Sequence, residues 1–404
     1  MTTALVISGG IGGTAAAVAL TTVGIDVTVL ERRHDDEAEG SFLTLGSNGI
    51  DALAALGLDT AVAGVGFPTP VLTMVSGTGK VLGDSRTSAT LPGAPTSRTV
   101  RRAELARALR DEARRRGVEI VTGQHVVGLT RPGTASRPAG VRLADGTEAA
   151  ADLVVAADGI HSRIRPEIVP DAPGPEYTGL VGLGGDSPAG IVDEPPGSFR
   201  MIFGRRAFFG YATAPDEQVW WFANVPQPRE PVRGEPESID AETWRHRLTT
   251  LFADDAGPAV ALLRAATRLT PASPMHTVPR LRRWHAGRTA LLGDAAHAPS
   301  PSSGQGASLA VEDAVALALA LGEQGAVLPA LAAYEAARRP RVERIVAQAR
   351  RVNSSKAATG LARWLRDAIL PVVLRRTAGG PALREVYDHH LTRVPDLRGG
   401  ASIR

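Results

Sequence analysis

Short apolar runs closed by glycine or by polar residues alternate along this chain with longer segments of three-and-four spacing. Leu5, Val6 and Ile7 form the first run, and the glycine-rich stretch Ser8 to Gly13 follows it. Thr14 to Val23 reads as a helix of small residues, alanine-rich where it must lie close to a sheet. Gly24 ends it, and Ile25, Val27 and Val29 alternate as a strand. Arg102 to Arg116 puts Leu105, Leu109 and Ala113 on one helical face; Gly117 stops it, and Val118 to Val121 is the next strand. Leu153 to Ala157 and Thr289 to Leu292 are apolar runs closed by Asp158-Gly159 and Gly293-Asp294. Such runs suit parallel strands covered on both faces. A long helix follows the second, with Leu309, Ala310, Asp313, Leu317 and Leu321 in register.

Between Pro175 and about Pro274 the period shortens to two. Arg200 to Phe203, Phe208 to Thr213 and Val219 to Val225 read as strands joined by turns. The pattern predicts an α/β protein: a Rossmann-like nucleotide domain with an inserted, mostly antiparallel β-sheet domain and C-terminal helices. The expected division is 1–66, 96–174 and 276–345 for the discontinuous nucleotide domain, 67–95 and 175–275 for the sheet domain, and 346–404 for the helical segment.

Composition narrows the function classes. The 404 residues include no cysteine, so thiol redox chemistry, thiolate-held metal and disulfides are excluded; no metal site is expected. No run of 18 apolar residues and no leader pattern is present, so a cytoplasmic protein without a transmembrane segment is expected. The formal charge is +3, with Lys80 and Lys356 the only lysines. Acidic residues nearly balance the arginines and no basic stripe alternates with aromatics, which argues for a mixed solvated surface and against nucleic acid.

Candidate chemistry lies at the ends of the apolar runs. Ser8-Gly9-Gly10-Ile11-Gly12-Gly13 stands where a dinucleotide phosphate turn belongs. Gly10 would admit the pyrophosphate, Gly13 would let helix and strand close, and the helix end would supply amides and positive charge. Ser8 replaces the first glycine, a residue a tight turn accommodates at negative φ. Glu31, 21 residues after Gly10, stands where a carboxylate accepts from a ribose. Asp158 and Asp294 follow two further strands and would share that rim. Pro301-Ser302-Ser303-Gly304-Gln305-Gly306-Ala307-Ser308 opens the long helix, whose amides suit a group carrying negative charge.

Ser8 to Gly13, Asp158 to Arg165, and Gly293 to Asp313 together resemble the class A flavoprotein monooxygenases, the p-hydroxybenzoate hydroxylase fold group. The resemblance covers about residues 1 to 350, and G-D-A-A-H…P-x-x-G-Q-G…E-D-A is its most specific part. It implies FAD along Gly10, Ile11, Gly12 and Gly13, with Glu31 and Arg32 at the adenosine ribose. Val126, in Gly123-x-x-Val126, would contact adenine, and Arg102, in R-x-x-L, phosphate or ribitol. Gly293 and Asp294 would hold the linker; Pro301, Gly304, Gln305, Gly306, Ala307 and Ser308 would surround the flavin ring. Asp158 would shape use of both FAD and a transient NAD(P)H. Tyr334 to Arg341, Y-E-x-x-R-R-P-R, is a further structural match.

The implied activity is oxygenation of an aromatic or polycyclic small molecule with dioxygen, a natural-product intermediate by analogy. Phe203, Phe208, Tyr211, Trp220 and Phe222 are expected to line the substrate roof, and Ser41-Phe42-Leu43 to approach the ring. No catalytic base is assigned; His161 and His297 are read as structural or hydrogen-bonding. The expected assembly is a monomer or homodimer. A flavin oxidase or dehydrogenase without oxygen insertion, and a non-catalytic flavin-binding protein, remain open alternatives. A flavin-dependent halogenase would need W-x-W-x-I-P, which Trp220 to Pro226 does not provide.

Overall fold

The structure, a computed structural model, describes residues 2–34, 41–232, 234–300, 303–356, 369–373 and 380–396. A six-stranded sheet has the order His285–Ala286, Thr289–Leu291, Leu153–Ala156, Thr3–Ile7, Asp26–Leu30, Glu119–Val121. Every pair is parallel except that of the edge strand His285–Ala286. Ile7 stands opposite both Leu30 and Ala156, Ala156 opposite Leu291, and Leu30 opposite Val121. The carboxyl ends of the five parallel strands therefore stop at one level. Strands are added first on one side of Thr3–Ile7 and then on the other, the arrangement that opens a ligand crevice beside the central strand.

Helix Ile11–Thr22 packs on strands Thr3–Ile7, Asp26–Leu30 and Leu153–Ala156, and the antiparallel strands Ala139–Leu143 and Glu148–Ala151 pack on Leu153–Ala156 and Thr3–Ile7 as well, so a helical layer and a sheet layer cover the unbroken apolar runs. Helix Ile11–Thr22 is buried almost all round, its alanines lying between the sheet and helix Gly306–Gln324. Helix Arg102–Arg115 buries only Leu105, Leu109, Glu112 and Ala113, the stripe its spacing predicts. Two three-stranded sheets flank it: Val126–Arg131, Ala139–Leu143 and Glu148–Ala151; and Phe42–Leu45, Arg98–Arg101 and Phe67–Pro68.

The large sheet runs Arg268–Leu269, Glu176–Ser187, Val219–Pro226, Phe208–Thr213, Phe199–Phe203, Val71–Ser76, Val81–Arg86, with Ser273–Thr277 also on Glu176–Ser187. Only the pair between Phe199–Phe203 and Val71–Ser76 is parallel. The cluster Gly182-Leu183-Gly184-Gly185 lies inside the long strand Glu176–Ser187. Its glycines clear space for neighbours: a Cβ on Gly185 would fall 2.3 Å from Trp221 Cζ2.

Side chains alternate between the two faces of this sheet. Ile202, Phe209, Tyr211, Trp221 and Ala223 pack under helices Ala241–Phe252 and Ala259–Arg264. Phe199, Trp220 and Phe222 take the other face, against Phe42 and Phe67 from the small sheet, and Phe203 and Phe208 share that face beside Leu82. At the C-terminus, helix Val327–Lys356 runs continuously through Pro340, so the expected boundary at 345/346 falls inside one helix. No helix of the described residues is long and apolar enough to cross a membrane.

The alternation predicts unequal mutational costs on one strand. Trp221, buried and stacked on Phe209 at 5.7 Å, should lose about 3–5 kcal/mol on replacement by alanine. Phe222, half-buried on the opposite face, should lose less than half of that, as measured by urea unfolding.

Candidate functional site

The turn after the first strand carries a strained residue. Ser8 has φ of 84°, the left-handed region, and so adopts the glycine conformation without being glycine. This corrects the expectation of negative φ there. The cause is the approach of the following helix: a Cβ on Gly13 would sit 1.9 Å from the Ser8 carbonyl oxygen, leaving the turn one path. Thr14 Oγ1 donates to the Gly9 carbonyl at 3.0 Å, and Gly9 N–H donates to Glu31 Oε2 at 2.5 Å. Arg33 N–H donates to Glu31 Oε1 at 2.8 Å. The Glu31 carboxylate is thus pinned across the mouth of the turn, with Arg32 exposed beside it. Gln124 N–H donates to the Glu31 carbonyl at 2.8 Å, which brings Gly123 to Val126 to the same edge.

Asp158 and Asp294 leave neighbouring strands. Asp158 Oδ2 accepts from the amides of Arg163 at 2.8 Å and Ile164 at 3.4 Å, while its Oδ1 is buried without a hydrogen-bond partner. Burial pushes the carboxyls of both aspartates above their usual range; at Asp294 the charge of Arg102 works against that rise. Arg102 opens its helix close enough to act on Asp294, and its amide donates to the Ser41 carbonyl at 3.2 Å. Arg165 is buried and joins the two aspartate loops, donating to Ile160 O at 2.7 Å and Ala295 O at 3.2 Å. It stands within a motif the sequence displays, yet spacing alone gave no sign of this bridge.

Helix Gly306–Gln324 is seated against the same loops by missing side chains. A Cβ on Gly12 would lie 3.0 Å, and one on Gly293 2.9 Å, from Ala310 Cβ. Gly293 also has φ of 61°, which glycine adopts without strain. The amides of Gly306, Ala307 and Ser308 form the first turn and have no carbonyl partner within the helix. A Cβ on Gly306 would be 3.4 Å from Asp294 Oδ1, so this helix end faces that carboxylate. The side chains here are committed to the protein. Ser308 Oγ accepts from Gly46 N–H at 3.2 Å, and Gln305 Oε1 accepts from Asn48 Nδ2 at 3.0 Å. Tyr387, its hydroxyl pushed up to about 12 by burial, also hydrogen-bonds Gln305. Gly304 precedes this turn at φ of 63°, and Pro301 lies outside the described residues.

Behind the helix end stands a buried ion network. Asp313 Oδ2 accepts from Gly293 N–H at 3.1 Å and contacts His297 Nε2 at 2.6 Å; its Oδ1 accepts from Arg338 at 2.7 Å. Glu312 accepts from Arg338 at 2.6 Å, from Arg341 at 2.9 Å and from Asn48 at 2.7 Å. Burial raises the Glu312 carboxyl, but Arg338 and Arg341 outweigh it and hold the group at about 2. The E-D pair and the R-R-P-R run are therefore complementary halves of one clamp. Tyr334 completes it by donating to Leu291 O at 3.1 Å. His297, paired with Asp313 and packed on Trp284 at 5.0 Å, belongs to the clamp. His161 lies 5.2 Å from His276, edge to face.

Four of the five roof candidates, Phe203, Phe208, Trp220 and Phe222, share the face that meets Phe42. Tyr211 does not: it stands three positions beyond Phe208, an odd step that a strand's period of two sends to the helix-backed core, where its hydroxyl donates to Glu194 Oε1 at 3.1 Å. Two surface clefts, of about 510 and 600 Å³, open elsewhere and touch no residue of the rim.

Comparison with known proteins adds to this geometry. The family model described as "FAD binding domain" matches residues 1–349. The chain is 33% identical over 387 residues to aurachin C monooxygenase/isomerase of Stigmatella aurantiaca, covering 91% of this chain and 93% of that protein. It is 33% identical to 2-heptyl-3-hydroxy-4(1H)-quinolone synthase of Mycobacteroides abscessus, covering 84% and 86%. Klebsiella pneumoniae HpxO, crystallised with FAD and uric acid, superposes with a TM-score of 0.81 at 28% identity, covering 96% of each chain.

Ser8→Gly should stabilise the protein by about 1 kcal/mol and Ser8→Val should destabilise it by about 1–3 kcal/mol, read from urea midpoints. Arg338→Ala should cost about 3–5 kcal/mol, because it strands two buried carboxylates. The Glu312 carboxyl is depressed by folding. Its contribution is therefore full above the unfolded value near 4.5 and is lost as pH falls towards about 2, so an acid titration of stability should steepen in that window.

Proposed function

The chain belongs to the FAD binding domain family, among the class A FAD-dependent monooxygenases, and on that premise we propose that it uses NAD(P)H and dioxygen to oxygenate a planar aromatic or fused heteroaromatic small molecule, a natural-product intermediate by analogy with its relatives. The observation that carries the site assignment is the common level of the strand ends. It gathers the Ser8–Gly13 turn, Glu31, Asp158, Asp294 and the first turn of Gly306–Gln324 along one rim.

These residues fit a long dinucleotide with a flavin head. The Gly9 amide is committed to Glu31, and the turn would offer the amides that follow it, with no side chain at Gly9 or Gly10 where the pyrophosphate would approach. Glu31 would accept from the adenosine ribose, with Arg32 and Val126 at the adenosine end. Asp294 and Arg102 supply an acceptor and a donor for the ribitol linker. The first-turn amides of Gly306, Ala307 and Ser308, which have no partner within the helix, would face the edge of the ring that becomes negative on reduction. Asp158 keeps an unpartnered buried oxygen beside the crevice.

When bound, FAD supplies hydride acceptance and activation of dioxygen. The chain's share is to bind, orient and exclude water. The roof strands would hold apolar rings over the bound flavin, a surface that sheds water from the reacting groups. The ion clamp keeps the Gly293–His297 loop and the helix end in fixed relation, so that linker and ring contacts form together.

The protein should purify yellow. Asp294→Ala and Arg102→Ala should each weaken FAD binding by about 10- to 100-fold, the equivalent of one charge-assisted hydrogen bond, measured by equilibrium dialysis. A substrate should stimulate NAD(P)H consumption, and its product should carry one oxygen atom from labelled dioxygen. Unlabelled product with stoichiometric hydrogen peroxide would replace this reading by a flavin oxidase.

A further inference from the structure

On the monooxygenase reading, the chemistry of the roof decides which substrates are admitted. On the site-facing side of the large sheet, from Gly182 to Ser187 and along Phe199–Phe203, Phe208–Thr213 and Val219–Pro226, the residues are apolar or glycine with two exceptions, Asp186 and Asn224. Asp186 is already neutralised. Arg101 donates to it at 3.1 Å and Arg268 at 2.7 Å, and the Arg101 guanidinium also lies 4.2 Å from the Trp220 ring.

Asn224 is different. It is buried at 4% exposure, and its carboxamide makes no hydrogen bond to any described residue. Its strand partners on the two sides are Phe208 and Gly182, an aromatic ring and a residue without a side chain. A Cβ on Gly182 would stand 3.2 Å from Met275 Sδ and 3.7 Å from Asn224 Oδ1, so the glycine admits the Met275 thioether on that side and supplies no strong hydrogen-bonding group to the amide. Two residues earlier on the same face, Phe222 lies across Gly210, where a Cβ would come within 2.3 Å of its ring. Phe222 and Met201 stay partly exposed although both are on inner strands, whereas Ile202, Trp221 and Ala223 behind them are buried. The face therefore presents an apolar plate, partly exposed at Met201 and Phe222 beside Phe42, whose unspent polar groups among the described residues are the Asn224 carboxamide at its edge and the buried Trp220 Nε1.

A buried amide in such surroundings is costly unless something pairs with it. A ligand anion on this face would be desolvated with no free cation among the face's described residues to meet it, since the neighbouring Arg101 and Arg268 are spent on Asp186. We propose that Asn224 is the specificity-determining residue of the roof, and that it selects an uncharged planar ring bearing an amide-like carbonyl or N–H edge while carboxylated rings are rejected.

The test uses the full-length FAD-loaded protein and three probes: 4-quinolone, its 3-carboxylate and naphthalene. Binding is read from the flavin absorbance difference spectrum, without turnover. The quinolone is expected to bind at least about tenfold tighter than either of the others. In Asn224→Leu its advantage over naphthalene should collapse while FAD content is kept. Equal or tighter binding of the carboxylate, no binding of the quinolone, or undiminished discrimination in Asn224→Leu would overturn the proposal. Should that variant fail to fold, the ranking of the three probes on the parent protein still decides. Failure of the oxygenase reading is separately visible, as unlabelled product with the same order of binding.

Discussion

Asp313 holds the site together. Its carboxylate is fully buried, and one oxygen takes the Gly293 amide and His297 while the other takes Arg338. It stands on helix Gly306–Gln324 two turns beyond the end that faces Asp294, and Gly293 is the residue before Asp294. One side chain thus fixes the loop that carries an acceptor relative to the helix whose first-turn amides have no partner within it. A buried carboxylate is tolerable only with this number of charged or strong donors. Glu312 repeats the arrangement one residue earlier, reaching Asn48 on the far side. The clamp joins three segments far apart in sequence, and the rim keeps its shape because they cannot move independently.

Much of this was legible in the chain. Periods of two and of three-and-four, with glycine stops, located the parallel strands and the helices between them, because both sheet faces are covered and the apolar runs are uninterrupted. The glycine turn, Glu31, Asp158 and Gly293-Asp294 could be placed on one rim because a parallel sheet sends all its carboxyl ends the same way. What spacing could not supply were contacts between distant segments. Arg165 bridging two loops, and the E-D pair meeting R-R-P-R across 25 residues of helix and turn, depend on how two helices lie against each other. Charge complementarity between those two motifs was the available clue. Ser8 departs from a negative φ for a related reason: its backbone angle is dictated by Gly13, five residues later, and not by its own preference.

The roof shows the limit of reading aromatics by abundance. Six aromatic residues fall between Phe208 and Phe222, both included, and the alternation of two strands divides them between a helix-backed core and the opposite face, which meets Phe42. Tyr211 belongs to the first set and Phe222 to the second. Parity decides this without any structure once one residue of the strand is placed. The glycines at 182, 184 and 210 follow from the same geometry, since each makes room for a neighbour. Asn224 attracts notice only once its apolar surroundings are known.

The most direct check on the account is the crystal structure of the protein loaded with FAD. The account predicts density for the pyrophosphate at Gly9 to Gly13, the ribose on Glu31, and the flavin ring between the amides of Gly306 to Ser308 and the face that bears Phe222. Density that runs elsewhere, or a flavin ring turned away from that helix end, would contradict it.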